Sequence, residues 1–392
     1  MRFLFMACVL LATVAFQPSA LDDRLLLLSP AQLKSAAERV ATNPSLPVAA
    51  ELFANAERDL HFKPASVMDK GITPPSGDKH DYMSQAPYWW PDPTKPDGKP
   101  YIRRDGERNP EINKLPDHDN LGRLTSAVGN LGLAYRLSKK LEYAEHAALL
   151  TRVWFLDPAL RMNPHLKFGQ GIPGINDGRG IGIIETRGLP DLLDGITSIA
   201  NSGVWTKADD AGLQRWMRDY LTWLTTSAYG REEAKNGNNH ETWYDVQVAS
   251  LALFTGQRDL ARQTLEGARG RIDRQFASDG RQPRELERTR SFDYSEFNLT
   301  AFFNLAVLGQ RVGVDLWNYQ SADGKSLRRG LDFMVPYAAG DKKWDFDQIT
   351  PFHGNTISDI LRRGALAWNE PAYRALADKL GGGSVRVRVL YP

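Results

Sequence analysis

From residue 30 to residue 380 the chain repeats one signature: apolar residues at alternating three- and four-residue steps, the spacing of a single helix face. The pattern occupies 30–43, 47–60, 119–138, 141–155, 181–200, 206–228, 241–255, 258–275, 294–312, 325–338, 356–367 and 370–380. Breaks fall at Gly256, Gly280 and Pro371, residues that interrupt a helix readily. Strand-like alternation is confined to the C-terminal "SVRVRVLYP", and no sequence repeat stands out. With 42% hydrophobic residues, such a chain must bury its helices against one another, so an all-α fold is expected. Helices that follow in pairs pack as hairpins side by side. Periodicity alone leaves two closures open, an open solenoid and an α/α toroid formed as an incomplete barrel of helical hairpins.

The first twenty residues follow a different rule. Arg2 precedes "FLFMACVLLATVAF", too short to span a bilayer comfortably, and "QPSA" ends in small residues suited to cleavage after Ala20. Residues 1–20 therefore read as a secretory signal peptide, with a membrane anchor as the alternative, and 21–392 as one domain. The only cysteine, Cys8, lies inside that segment. The mature chain would then hold no disulfide, no cysteine metal site and no thiol nucleophile, which suits the periplasm or exterior of a bacterium. No membrane contact is expected after cleavage, and the molecule is expected to be a monomer.

A formal charge of +2 is too small to argue for nucleic acid. The placement of the charge says more. "RGRIDR" (269–274) and "RQPRELERTR" (281–290) hold seven arginines in about twenty-two residues, broken by apolar and small residues. A run of this kind is commonly a solvated face. Folded into one groove it attracts a polyanion and grips its carboxylates.

Two long segments, 68–118 and 157–180, escape the helical pattern. Loops of this length in a compact domain are functional or disordered, and "APYWWPDP" and "PYIRRDG" are too rich in aromatics for disorder. Tyr88, Trp89 and Trp90 are expected to line a cleft and stack on sugar rings; the competing reading makes them anchors of the loop.

Three polar clusters remain. Asn238, Asn239 and His240 precede a helical run, where one N-cap would suffice. With Asn238 as the cap, Asn239 and His240 are free to face a cleft. The second cluster, "ELERTRSFDYSEFNL", holds Arg288, Arg290 and Tyr294; the third, "TPFHGNT", holds His353, which can equally cap or pack there. No two histidines share a close helical spacing, so neither a metal nor another cofactor is expected.

Asn, His, Arg and Tyr together suit removal of the C5 proton of a uronic acid in a polysaccharide. That proton is barely acidic beside a charged carboxylate, so amide and guanidinium donors must neutralise the carboxylate as the carbanion forms. A Tyr or His takes the proton, and an acid protonates the departing O4. Arginines beside a tyrosine favour its phenolate.

"HDYMSQAPYWWPDP…GKPYIRRDGERNPE", "GRGIGIIETRGLPDLL", "NGNNHETWY" and "RELERTRSFDYSEFNLTAF" together resemble the alginate lyase superfamily of polysaccharide lyases, over about residues 65–360. The resemblance implies an α/α toroid, a periplasmic or secreted enzyme, and β-elimination on alginate, glucuronan or another uronate polymer. It implies that Asn239, His240 and Arg288 bind and neutralise the carboxylate while Tyr294 is base and acid. Tyr88, Trp89, Trp90, Arg290 and His353 are the expected substrate contacts. Two rivals stand beside it: a glycoside hydrolase using two of Asp177, Glu185, Asp293 and Glu296, and a non-catalytic binder of acidic polysaccharide.

Overall fold

The structure, a computed structural model, describes residues 22–43 and 45–392; the expected signal peptide, 1–20, lies outside the described residues. Among the described residues, fifteen α-helices make up the body. The chain begins with α1 (Pro30–Thr42), α2 (Pro47–Asp59), α3 (Asp117–Ser138), α4 (Leu141–Phe155) and α5 (Leu189–Ile199). It continues with α6 (Lys207–Thr226), α7 (Ala228–Glu233), α8 (Asn239–Phe254), α9 (Arg258–Gln275) and α10 (Pro283–Leu286). The last five are α11 (Ser291–Gln310), α12 (Leu327–Ala338), α13 (Ser358–Ala367), α14 (Pro371–Leu380) and α15 (Val385–Leu390). Successive helices pair as hairpins, α3 with α4, α8 with α9 and α13 with α14. The architecture is the expected all-α toroid.

Burial sorts the helices into inner and outer. α8 and α11 are buried on nearly every side, from Asn239 to Phe254 and from Ser291 to Gly309, and pack against each other. The charged residues that α8 buries are paired, as Asp245 is with Arg271 at 2.9 Å, so the helix can lie inside. α9, by contrast, buries only one stripe, through Ala261, Leu265, Ala268 and Ile272. α3 and α5 meet backbone to backbone: a Cβ on Gly132 would lie 2.4 Å from the Gly195 Cα, so neither residue has room for a side chain.

The two long irregular segments meet on one rim. β1 (Met83–Gln85) pairs in parallel with β4 (Phe168–Gly171), joining the first segment to the second. β2 (Trp89–Trp90) pairs antiparallel with β3 (Ile102–Arg103), folding the first segment on itself. The joined segments are fastened to the body by a fully buried ion pair, Lys70 to Asp117 at 3.1 Å, with the Met83 amide donating to the same carboxylate at 3.0 Å.

Three expectations change. The span 181–200 divides at Gly188, into a 3₁₀ stretch (Gly180–Thr186) and α5; 206–228 divides at Ser227, which caps α7. The tail is helix α15, not a strand. Val389 and Leu390 bury against Leu25, Leu28, Leu33 and Leu133, and Arg386 and Arg388 reach Asp194 at 3.1 Å and Glu51 at 2.7 Å. These contacts override the alternation of a six-residue element.

Candidate active site

α8 begins where the sequence places its cap. The Asn238 side chain accepts from the His240 amide at 3.1 Å, so Asn239 and His240 open the first turn. Each is backed by a buried carboxylate from a short neighbouring helix. Glu233, at the end of α7, lies 2.7 Å from His240 Nδ1. Glu285, on α10, accepts from the Asn239 amide at 2.7 Å and from Asn239 Nδ2 at 2.8 Å. Burial raises the Glu285 carboxyl, and the two Asn239 donors pull it back. Glu233 fixes the imidazole by one nitrogen and leaves Nε2 for the cleft.

Tyr294 lies in the first turn of α11. Its hydroxyl is 2.9 Å from that of Tyr88, and the Arg288 guanidinium lies 3.7 Å from its ring centre. The arginine does favour the phenolate, as expected, but burial and the Tyr88 contact outweigh it, and the hydroxyl is held above its ordinary value. Arg288 itself is occupied: Nε and Nη2 donate to Asp105 at 3.0 and 2.8 Å. That pair ties the first long segment to the loop before α11.

Asn238, Asn239, His240, Arg288, Tyr294 and Tyr88 line one cavity of about 400 Å³, the size of a small-molecule cleft, while Glu233, Glu285 and Asp105 stand outside its lining. Its wall takes Tyr88, Trp89, Arg103 and Arg108 from the first long segment, and Gln170 and Arg179 from the second. His118 and Glu185 join from α3 and the 3₁₀ stretch. Glu185 is buried, accepts from Tyr82 and Ser84 at 2.6 Å each, and lies 3.3 Å from His118 Nδ1. A larger groove of about 840 Å³, between α1, α13, α14 and the chain end, touches none of the expected site residues.

Of the expected contacts, the structure brings Asn239, His240, Arg288, Tyr294, Tyr88 and Trp89 to the cleft. Trp90 is not in the wall; its indole donates to the Glu107 carbonyl at 2.9 Å beneath Arg104 and anchors the loop. Arg290 pairs with Asp293 at 2.8 Å and is not in the wall, though its charge couples to Tyr88 and Tyr294. His353 is exposed ahead of the short 3₁₀ turn before α13 and does not reach the cleft. Sequence reasoning passed over Asp105, His118, Arg179, Arg187, Glu233 and Glu285. Glu285 stood inside the quoted "RELERTR", but nothing in a sequence pairs it with an asparagine 46 residues away.

An α/α toroid with an arginine-lined cleft belongs to a class of enzyme, the polysaccharide lyases. A family model described as alginate lyase matches residues 66–344, and the chain belongs to that family. An alginate lyase from Bacteroides ovatus is similar at 38% identity and a TM-score of 0.90, over 94% of this chain and 99% of the other. Alginate lyase A1-III from Sphingomonas species A1 shares the fold, with a TM-score of 0.54 at 15% identity over 87% and 94% of the two chains. A histidine-to-alanine variant of A1-III complexed with tetrasaccharide superposes with a TM-score of 0.57 at 14% identity, over 87% and 94%. No curated protein matches.

Proposed function

We propose that the protein cleaves a uronate polymer, alginate rich in mannuronate or glucuronan, by β-elimination. The observation that carries this reading is the composition of the cleft. A tyrosine hydroxyl, an Asn–His pair and five arginines face one cavity, and the only carboxylate in its wall, Glu185, is already taken by Tyr82, Ser84 and His118. Such a wall receives a carboxylate and offers a proton carrier beside it. Asn239 and His240 meet the uronate carboxylate. The base takes the C5 proton, the freed electron pair forms the C4–C5 double bond, the C4–O4 bond breaks, and O4 leaves with a proton. Tyr294 is the proton-transfer residue, and Arg288, laid on its ring, stabilises the phenolate.

A second reading keeps Tyr294 as the acid and makes His240 the base. The Glu233–His240 pair and the raised Tyr294 hydroxyl favour it. A two-carboxylate hydrolase has less support, because Asp177, Asp293 and Glu296 are absent from the wall. The cleft is complete within one chain, which supports action as a monomer, and the N-terminal segment supports a periplasmic or secreted location. The test is incubation with mannuronate and guluronate blocks of alginate, glucuronan and glycosaminoglycans, following the ultraviolet absorbance of unsaturated product. Binding without shortening of any polymer would overturn the reading in favour of a non-catalytic binder.

A further inference from the structure

Outside the cleft, the stretch between α12 and α13 forms no helix, and its exposure alternates along residues 343–350. Trp344, Phe346, Gln348 and Thr350 are half-buried, whereas Lys343, Asp345, Asp347 and Ile349 are exposed. A period of two puts the two sets on opposite faces. The half-buried set, with Tyr337 and Phe352, lines a groove of about 420 Å³. Trp344 is its centre, with ring centres 4.9 Å from Tyr337, 5.0 Å from Phe346 and 6.4 Å from Phe352. Phe352 is 38% exposed, although a ring of that size gains most by being covered. The motif "TPFHGNT", whose histidine misses the cleft, supplies Thr350 and Phe352 to this groove.

The charged residues of the lining are Lys342 and Lys343, and neither has a carboxylate within ion-pair distance among the described residues. Asp341, Asp345 and Asp347 belong to the same stretch but not to the lining, and the alternation turns the last two away. The Tyr337 hydroxyl has no hydrogen-bond partner among the described residues. The groove thus offers aromatic faces, free ammonium groups and a free hydroxyl, with no acid.

It backs directly onto the cleft. The Ser291 amide donates to the Asp347 carbonyl at 3.0 Å, the Ile349 amide to the Thr289 carbonyl at 2.8 Å, and the Phe292 amide to Gln348 Oε1 at 3.1 Å. Residues 289–292 link Arg288 to Tyr294, both in the cleft wall. The ring of Phe292 lies 5.0 Å from Trp344 and 4.5 Å from Phe352, so it is the rear support of the groove. On the exposed face, a Cβ on Gly106 would lie 3.0 Å from Ile349 Cδ1, and Arg103 and Arg108 of that same loop line the cleft. Groove and cleft are two sides of one junction.

We propose that this groove is a second, non-catalytic sugar site, which holds an acidic polysaccharide chain where it runs out of the cleft. A sugar ring is apolar across its C–H face and, in a uronate, anionic at its edge. The first property suits Phe346 and Phe352, the second Lys342 and Lys343. A chain held at both places binds more tightly than a short one held in the cleft alone, because its second contact is made within the complex. This rests on the proposed reading of the cleft as a uronate site.

The test is equilibrium binding of mannuronate and glucuronate trisaccharides, and of the corresponding long chains, to wild type, Phe352→Ala, Phe352→Tyr and the double variant Lys342→Ala, Lys343→Ala. Both alanine variants should bind the preferred long chain roughly 3- to 30-fold more weakly and the trisaccharide as wild type does. Phe352→Tyr keeps the ring and should bind the chain like wild type. The lysine pair reaches no core contact, so it reads the groove even if Phe352→Ala fails to fold. Long-chain binding unchanged in both alanine variants overturns the proposal. So does an equal loss for trisaccharide and chain, which would make these residues props of the cleft. So does an altered oligomeric state on gel filtration with chain binding intact, which would give the groove to a second copy. Wild type that binds no acidic chain overturns the uronate reading and the groove together. Product absorbance on the same samples separates the two: the expected binding pattern with no unsaturated product refutes elimination and leaves the groove standing.

Discussion

Tyr294 concentrates the conflict that the site has to resolve. The hydroxyl proposed to exchange a proton is half-buried, hydrogen-bonded to a second hydroxyl, with a cation laid on its ring. Changing Tyr294 to Phe removes one oxygen and keeps the ring on which Arg288 stacks. Activity should fall by on the order of 10²–10⁴, the contribution of a general acid–base group, with the melting temperature nearly unchanged. If most activity survives, His240 becomes the proton carrier and Tyr294 a spectator. Asp105 gives a second residue-scale expectation. Burial alone would raise its carboxyl, but the Arg288 hydrogen bonds and charge bring it down to about 2. A carboxyl depressed on folding stabilises above its unfolded value, about 3.9, and loses that contribution as pH falls through its folded value. Asp105→Asn should therefore be less stable than wild type at pH 6, and denaturant titrations should show the gap narrowing below about pH 4. A constant gap would mean that the carboxylate is not what holds the segment. Neither residue's partner was legible in the sequence: Asp105 and Arg288 lie 183 positions apart, and only the fold brings them together.

At the level of elements the sequence was read well where a helix packs one or more apolar stripes, and poorly where contacts decide. α3, α4, α8 and α9 fall close to their periodic stretches because burial and periodicity agree. The tail failed because six residues of Val–Arg alternation carry no reliable period, and its arginines find acids on two other elements. The aromatic triplet was half legible: three bulky residues announce an ordered loop, but not which ring faces the cleft. Trp89→Ala should raise KM with a small change in melting temperature, whereas Trp90→Ala should lower the melting temperature and leave KM near wild type once folded. The reverse pattern would mean that the two rings have been assigned to the wrong sides. The α3–α5 crossing makes a cleaner test of packing. Gly132→Ala forces a methyl into the Gly195 backbone and should cost about 1–3 kcal/mol, the usual range for overpacking. Specific activity of the folded fraction should hold; unchanged stability would show that the helices can part.

The molecule as a whole is nearly neutral, with a formal charge of +2 in 392 residues, so net charge cannot draw a polyanion to it. Geometry can. His118 is in the first turn of α3, Arg187 sits just before α5, Asn239 and His240 open α8, and Tyr294 is in the first turn of α11. The same cavity collects residues from all four, so four helices start there and run away from it. The helix dipole adds partial positive charge at each start, at most about half an elementary charge, and less at α8 and α11, whose first amides already donate to Glu285, Asn238, Asp347 and Gln348. Added to the five arginines of the wall, they bias the cleft toward positive potential. The protein is in this sense a compass needle: a charged polymer drifting past should be turned toward the cleft before it touches anything. Raising ionic strength from about 0.01 to about 0.15 M, which shortens screening from about 30 to about 8 Å, should lower kcat/KM on long polymer severalfold and leave kcat almost untouched. Equal kcat/KM at both ionic strengths would mean that the needle does not point, and that the polymer finds the cleft by collision alone.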